Sequence, residues 1–151
     1  MITIKTDGAA RGNPGPAGIG AVVFNSSGDI LREANKYIGE ATNNVAEYNA
    51  LLLGLKMAAD HKAGSVVFKL DSELLVKQLN GEYRVKNAAL KVLYLAAKKL
   101  LGEYQNVRIC HVPREENSEA DELANEAIER FLAGELEAEK VIDIPGQGSL
   151  F

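Results

Sequence analysis

Four acidic residues, Asp7, Glu47, Asp71 and Asp121, stand where the chain passes from one kind of segment to the next. Each has an ordinary explanation. Asp7 begins "DG", a common turn dipeptide; Glu47 and Asp121 fall early in helical patterns, where the macrodipole favours acids; Asp71 precedes a helix and could cap it. Taken together they point to chemistry. Carboxylates packed at one place repel and raise one another's pKa unless cations neutralise them. An all-oxygen set with no accompanying His or Cys suits Mg²⁺ or Mn²⁺. Two such ions about 3.5–4 Å apart can activate a water on one side of a phosphodiester and stabilise the leaving oxygen on the other. If the four acids converge, the chemistry is metal-dependent phosphodiester hydrolysis.

Convergence depends on the elements that carry them. Residues 2–6, 17–24 and 30–38 alternate or run apolar with β-branched content, separated by the glycine-rich "GAARGNPG" and by the hairpin-type "NSSGD". They read as three antiparallel strands, with Asp7 at the end of the first. "TNNVAEYNALLLGLKMAADHKAG" follows as a helix capped by Thr42 or Asn43 and stopped by Gly64. "SVVFKL" is a fourth strand ending at Asp71, "SELLVKQLN" a helix closed by Gly81, and residues 88–101 a third helix. "NVRICHV" is a fifth strand, and "NSEADELANEAIERFLA" a helix capped by Asn117 or Ser118. The order β-β-β-α-β-α-α-β-α implies an α/β fold with a mixed five-stranded sheet covered by about four helices. Strands one and four are natural parallel neighbours through the crossover. Asp7 and Asp71 then emerge at the same carboxyl edge, where open α/β sheets bind ligands.

Composition narrows the class. The 151 residues, 46% of them hydrophobic, suffice for one domain with a sizeable core and are too few for two. No apolar run approaches the roughly 18 residues of a membrane helix, and residues 1–5 lack the layout of a signal peptide. A soluble, cytoplasmic, monomeric protein without a membrane partner is expected. The single cysteine, Cys110, excludes an internal disulfide and reads as a half-buried strand residue. A net charge of −4 argues against a nucleic-acid partner, but the distribution softens that. Residues 132–151 hold four acids against Lys140, whereas Lys77, Arg84, Lys86, Lys91, Lys98 and Lys99 face only Glu82 between positions 77 and 99. That cluster is either a solvated face or a basic contact surface.

The segments "TDGAARGNPGPAGIGAVV", "TNNVAEYNALLLGL", "LDSELLVKQL", "YRVKN" and "ENSEADELANEA" together resemble, in order and approximate spacing, ribonuclease H type 1, over most of residues 1–131. The resemblance implies a ribonuclease H-like fold and an enzyme that cuts the RNA strand of an RNA/DNA hybrid, leaving 5′-phosphate and 3′-hydroxyl ends. Asp7, Glu47, Asp71 and Asp121 match the family's four metal-binding carboxylates, with two Mg²⁺ ions per site and Mn²⁺ able to substitute. Gly12, Asn13, Asn43 and Asn44 occupy positions that contact the RNA strand, where amides can both donate to and accept from a ribose 2′-hydroxyl. Thr42 and Asn87 match the pair that holds a phosphate of the DNA strand. Arg84 and Lys86 add salt-sensitive phosphate attraction. Two departures stand out. "NGEYRVKN" is too short for the extra basic helix and protrusion of long-loop relatives, so this is the short-loop form, its affinity for hybrid lower or supplied by Lys91, Lys98 and Lys99. Before the last helix, "HVPREENSEAD" is compact; His111 reads as a strand residue, and Arg114 is the better candidate for meeting the scissile phosphate electrostatically.

The domain is expected over residues 1–132, with 133–151 as a tail. Its Gln147, Leu150 and Phe151 resemble the short peptide by which bacterial replication and repair proteins dock onto the DNA sliding clamp; packing of the tail on its own domain, or "VIDI" as an added edge strand, are the alternatives. Two functional alternatives also stand beside the hybrid-specific nuclease: a same-fold ribonuclease acting on double-stranded RNA, and a noncatalytic hybrid-binding module. The module gives no reason to concentrate carboxylates where phosphates must approach.

Overall fold

A computed structural model describes residues 1–61 and 64–135. The chain forms β1 (Ile2–Ala10), β2 (Gly15–Phe24), β3 (Ile30–Ala41), α1 (Asn43–Ala59), β4 (Ser65–Leu70), α2 (Glu73–Leu79), α3 (Ala88–Leu101), β5 (Asn106–His111) and α4 (Ser118–Leu132). The strands make one sheet in the order β3-β2-β1-β4-β5. β1 is antiparallel to β2 and parallel to β4, and β4 is parallel to β5, so the sheet is mixed as expected. Only residues 80–87 separate α2 from α3, and they contain no further helix. No helix among the described residues is long and apolar enough to cross a membrane.

The first strand departs from expectation. It does not stop at Asp7 but runs on to Ala10, pairing Asp7 with Gly20 and Ala10 with Ala17, and the reversal occupies only residues 11–14. "DG" is therefore not a turn here. Gly8 lies within the ladder, opposite Ile19, where α1 crosses so closely that a Cβ would run into the backbone of Ala46 and Glu47. Gly54 of α1 serves the same contact from the helix side, since a Cβ there would press on Thr6 Cγ2 at 2.7 Å. The absence of side chains, rather than backbone freedom, is what glycine contributes at both positions.

α1 is buried on nearly every side, between the sheet and α3, and its run Ala50–Leu52 is wholly out of water. A helix apolar all round is a core helix. Its start is set by Thr42, whose Oγ1 accepts from Val45 N at 3.2 Å. Buried Tyr48 donates to Gln78 Oε1 at 2.6 Å and ties α1 to α2. On the opposite face of the sheet α4 lies across β2, its Ala120 and Ala124 carbonyls directly over Gly20 and Gly18, with Ile128 beside them. Tyr37 stacks on Phe131 with ring centroids 3.8 Å apart, anchoring the far end of that helix.

Because the neighbours at Gly8 are backbone atoms that cannot rotate away, Gly8→Ala must separate α1 from β1. The expected cost is about 1–3 kcal/mol of stability, read as a lower urea midpoint; an unchanged midpoint would show that the contact is slack.

Candidate active site

The carboxyl ends of β1 and β4 lie side by side. Their register pairs Lys5 with Lys69, and continuing it by two residues brings Asp7 level with Asp71. Asp71 follows the last residue of β4, and the cap of α2 is the next residue, Ser72, whose hydroxyl accepts from Leu75 N at 3.2 Å. The Asp71 carboxylate is thus not consumed by capping. Glu47, in the second turn of α1, reaches the same place because α1 sits so close at Gly8; the Gly8 amide donates to it. One carboxylate oxygen from each of Asp7, Glu47 and Asp71 falls within 4.8 Å of the other two. Asp121, in the first turn of α4, stands within hydrogen-bonding reach of Asp7. All four acids line one cleft of about 440 Å³, with Arg11, Asn43, Arg114 and Asn125 on its walls.

The electrostatics are those of a site short of positive charge. Asp7 is pushed up to about 8, first by burial and next by the charge of Asp71. Glu47 is raised well above the ordinary carboxylate range, first by burial and next by the charge of Asp7, with which it shares a hydrogen bond. Asp71 is raised by burial, and Asn117, Arg114 and His111 pull it back. The buried oxygen Oε2 of Glu47 has no hydrogen-bond donor. An oxygen withdrawn from water without a donor is costly, and a divalent cation would satisfy it. The donor set, all carboxylate oxygen, fits a hard divalent cation.

Arg114 lies at the mouth of the cleft, mostly exposed, its Nη2 3.6 Å from Asp121 Oδ1. His111 is exposed at the end of β5, alongside Leu70. Asn13 and Asn43 form a linked pair beside the site: Asn13 Oδ1 accepts from Asn43 N at 3.0 Å, and Asn43 Oδ1 accepts from Ala10 N at 3.1 Å. Exposed Gly12, at φ +102°, makes the bend that presents Asn13, and Asn44 is exposed at the start of α1. Of these only Asn43 lines the cleft. Thr42 and Asn87 are both helix caps, accepting from Val45 N and Leu90 N, which leaves the Thr42 hydroxyl proton and the Asn87 amide protons as donors. Arg84 and Lys86 line a separate cleft of about 550 Å³ with Tyr83, Lys91 and Tyr94. Lys98 instead donates to Leu79 O at 3.2 Å and holds α3 to α2. Gln147, Leu150 and Phe151 lie outside the described residues.

One buried residue at the site escapes a reading from patterns. Asn117 sits at the cap position of α4 but makes no capping bond. Fully buried, it donates instead to Thr6 O at 2.9 Å and to the Asp71 carboxylate, bridging the strand of one acid to the side chain of another. Helix-start chemistry gives the same residue type at this place, so only the tertiary position reveals its role.

The raised Asp7 has a signed consequence. The folded protein holds a proton that the unfolded chain releases between the ordinary value of 3.8 and about 8, so metal-free stability falls as pH rises across that window. Asp7→Asn removes the penalty. In EDTA the variant's Tm is expected to exceed that of the parent at the alkaline end, with the gap closing toward pH 4; parallel Tm profiles would exclude this origin.

With the fold and the four acids in place, the relatives can be set beside them. Residues 5–127 match the family described as reverse transcriptase-like. The chain is 43% identical over 129 residues to the bifunctional protein Rv2228c of Mycobacterium tuberculosis, covering 85% of this chain and 35% of that protein. It is 44% identical over 123 residues to ribonuclease HI of Halobacterium salinarum, covering 82% and 62%. The chain thus spans about a third of the first relative's length and under two thirds of the second's. The crystal structure of LC11-RNase H1 in complex with an RNA/DNA hybrid superposes with a TM-score of 0.84 at 45% identity, covering 87% of this chain and 99% of that one. Identity of that order over nearly the whole of LC11-RNase H1, carried by one shared fold, places this chain in the ribonuclease H family, type 1.

Proposed function

We propose that the protein is an endonuclease that hydrolyses the RNA strand of RNA/DNA hybrids with two divalent cations, leaving 5′-phosphate and 3′-hydroxyl ends. The observation that carries the reading is the trio Asp7, Glu47 and Asp71, oxygens within 4.8 Å of one another, with a buried Glu47 oxygen lacking any donor. Asp7, Glu47 and Asp71 would hold the cations, Mg²⁺ or in its place Mn²⁺, and Asp121 would join them from α4. When bound, such ions supply a water of lowered pKa and a counter-charge for the leaving oxygen. Arg114, at the mouth of the cleft, would meet the scissile phosphate; always charged, it acts electrostatically and not as an acid or base. The complex of LC11-RNase H1 with a hybrid supports the substrate class.

Recognition of the two strands falls to different walls. Gly12, Asn13, Asn43 and Asn44 take the RNA strand on the hairpin side. Thr42 and Asn87, each with donors remaining after capping, take a phosphate of the DNA strand, and Arg84 and Lys86 add attraction along the second cleft. Residues 1–132 act as the catalytic domain of a cytoplasmic monomer, and residues 133–151 form the tail proposed to meet the sliding clamp.

The first test is cleavage of strand-labelled RNA/DNA, RNA/RNA and DNA/DNA duplexes with Mg²⁺ or Mn²⁺, comparing the parent with Asp7→Asn. Cutting of only the RNA of the hybrid, dependent on metal and abolished in the variant, is expected. Comparable cutting of RNA/RNA would replace the reading with a broader ribonuclease, and no cutting would return it to hybrid binding. Arg114→Ala is expected to lower kcat by about 10²-fold, the scale of one lost transition-state contact, while Mn²⁺ binding persists; unchanged turnover removes Arg114 from the mechanism. Arg84→Ala with Lys86→Ala should raise KM for hybrid and flatten its salt dependence; a slope equal to the parent's would place the DNA strand elsewhere.

A further inference from the structure

Asp121 is held differently from the other three acids. Asp121, Asn125 and Glu129 follow one another at single-turn spacing on α4, facing the tip of the β1–β2 hairpin. Asn125 Nδ2 donates to Asp121 Oδ1 at 3.2 Å and to the Asp121 carbonyl at 3.0 Å. Its own Oδ1 accepts from Arg11 Nη2 at 3.4 Å, and Arg11 Nη1 pairs with Glu129 at 2.5 Å. Both Arg11 and Glu129 are substantially exposed, so the pair contributes little stability by itself. Its effect is orientation. A guanidinium can only donate, so the Asn125 amide must turn its oxygen to Arg11 and its N–H groups to Asp121. Arg114 Nη2 lies 3.6 Å from the same Oδ1.

We propose that Asn125, oriented by Arg11, is a positioning residue for Asp121: by holding Oδ1 it turns the second oxygen toward Asp7 and sets the affinity for the cation that Asp121 serves. Arg11 belongs to the hairpin tip that carries Gly12 and Asn13, so the relay also joins the RNA-facing wall to the fourth acid. The inference rests on the metal-dependent reading above.

The test measures Mn²⁺ binding by calorimetry and the Mn²⁺ dependence of hybrid cleavage, in the full chain, for the parent, Asn125→Ala, Asn125→Asp and Arg11→Ala. Asn125→Ala is expected to weaken Mn²⁺ binding at least about tenfold, the scale for losing a group that orients a ligand, with the KM for hybrid at saturating Mn²⁺ unmoved. Asn125→Asp should weaken it further by setting like charges together. Arg11→Ala, in an exposed loop, should shift in the same direction by less, and adding it to Asn125→Ala should change nothing more. A purely structural role would lower the Tm in EDTA and leave the Mn²⁺ dependence alone. Parent-like Mn²⁺ affinity in both single alanine variants overturns the proposal. A parent that neither binds Mn²⁺ nor cuts hybrid overturns the functional reading, and this inference with it.

Discussion

Two carboxyl groups drawn out of water onto touching elements weaken the fold that holds them, because each loses hydration and each feels the charge of the other. Asp7 and Glu47 are such a pair, and the architecture around them supplies what holds them there. β1 is the middle strand of five, flanked on one side by β2 and on the other by β4, and α1 is pressed against it without intervening side chains at Gly8. The pair sits beside a contact where backbone meets backbone, with no side chain there to rotate away. Both acids line the inner wall of the cleft, and Oε2 of Glu47 is buried there without a hydrogen-bond partner.

The remaining acids arrive by separate routes, and that separation gives the cleft its shape. Asp71 is placed by strand pairing: adjacent strands lie about 4.8 Å apart, a spacing the sheet sets irrespective of the loops. Asp121 comes from the opposite face, on a helix resting against β2. Asn117 joins the two routes, one amide donating to the β1 backbone and to the Asp71 side chain while sitting at the head of α4. The result is three acids packed closely and a fourth at the wall, within reach of Asp7 but also of Arg114 and Asn125.

Much of this was legible in the residues. Apolar alternation marks the strands, Thr42 is one of the two residues that capping chemistry offers for the start of α1, and the crossover implies that β1 and β4 run parallel. The four acids follow from that topology together with the family's ordered segments. What patterns misjudge is local chemistry whose meaning is set by tertiary neighbours. "DG" looks like a turn, yet its glycine serves a helix crossing; Asp71 and Asn117 look like caps, yet Ser72 caps in one case and nothing does in the other. The relay through Arg11 and Asn125 links positions far apart in the chain, and a single sequence carries no trace of that pairing.

The glycines of β2 under α4 bear on this last point. At Gly18 and Gly20 the helix backbone lies directly on the strand, with no side chain between them over two successive contacts. They act as a shim of zero thickness, and the height of α4 above the sheet decides whether the Asp121 carboxyl stands level with Asp7. A methyl group at either glycine would meet the backbone of α4 at Ala124 or Ala120, on the helix that carries Asp121, while leaving every residue of the cleft in the sequence. The seat of the fourth acid therefore depends on strand residues outside the cleft, which no list of lining residues includes.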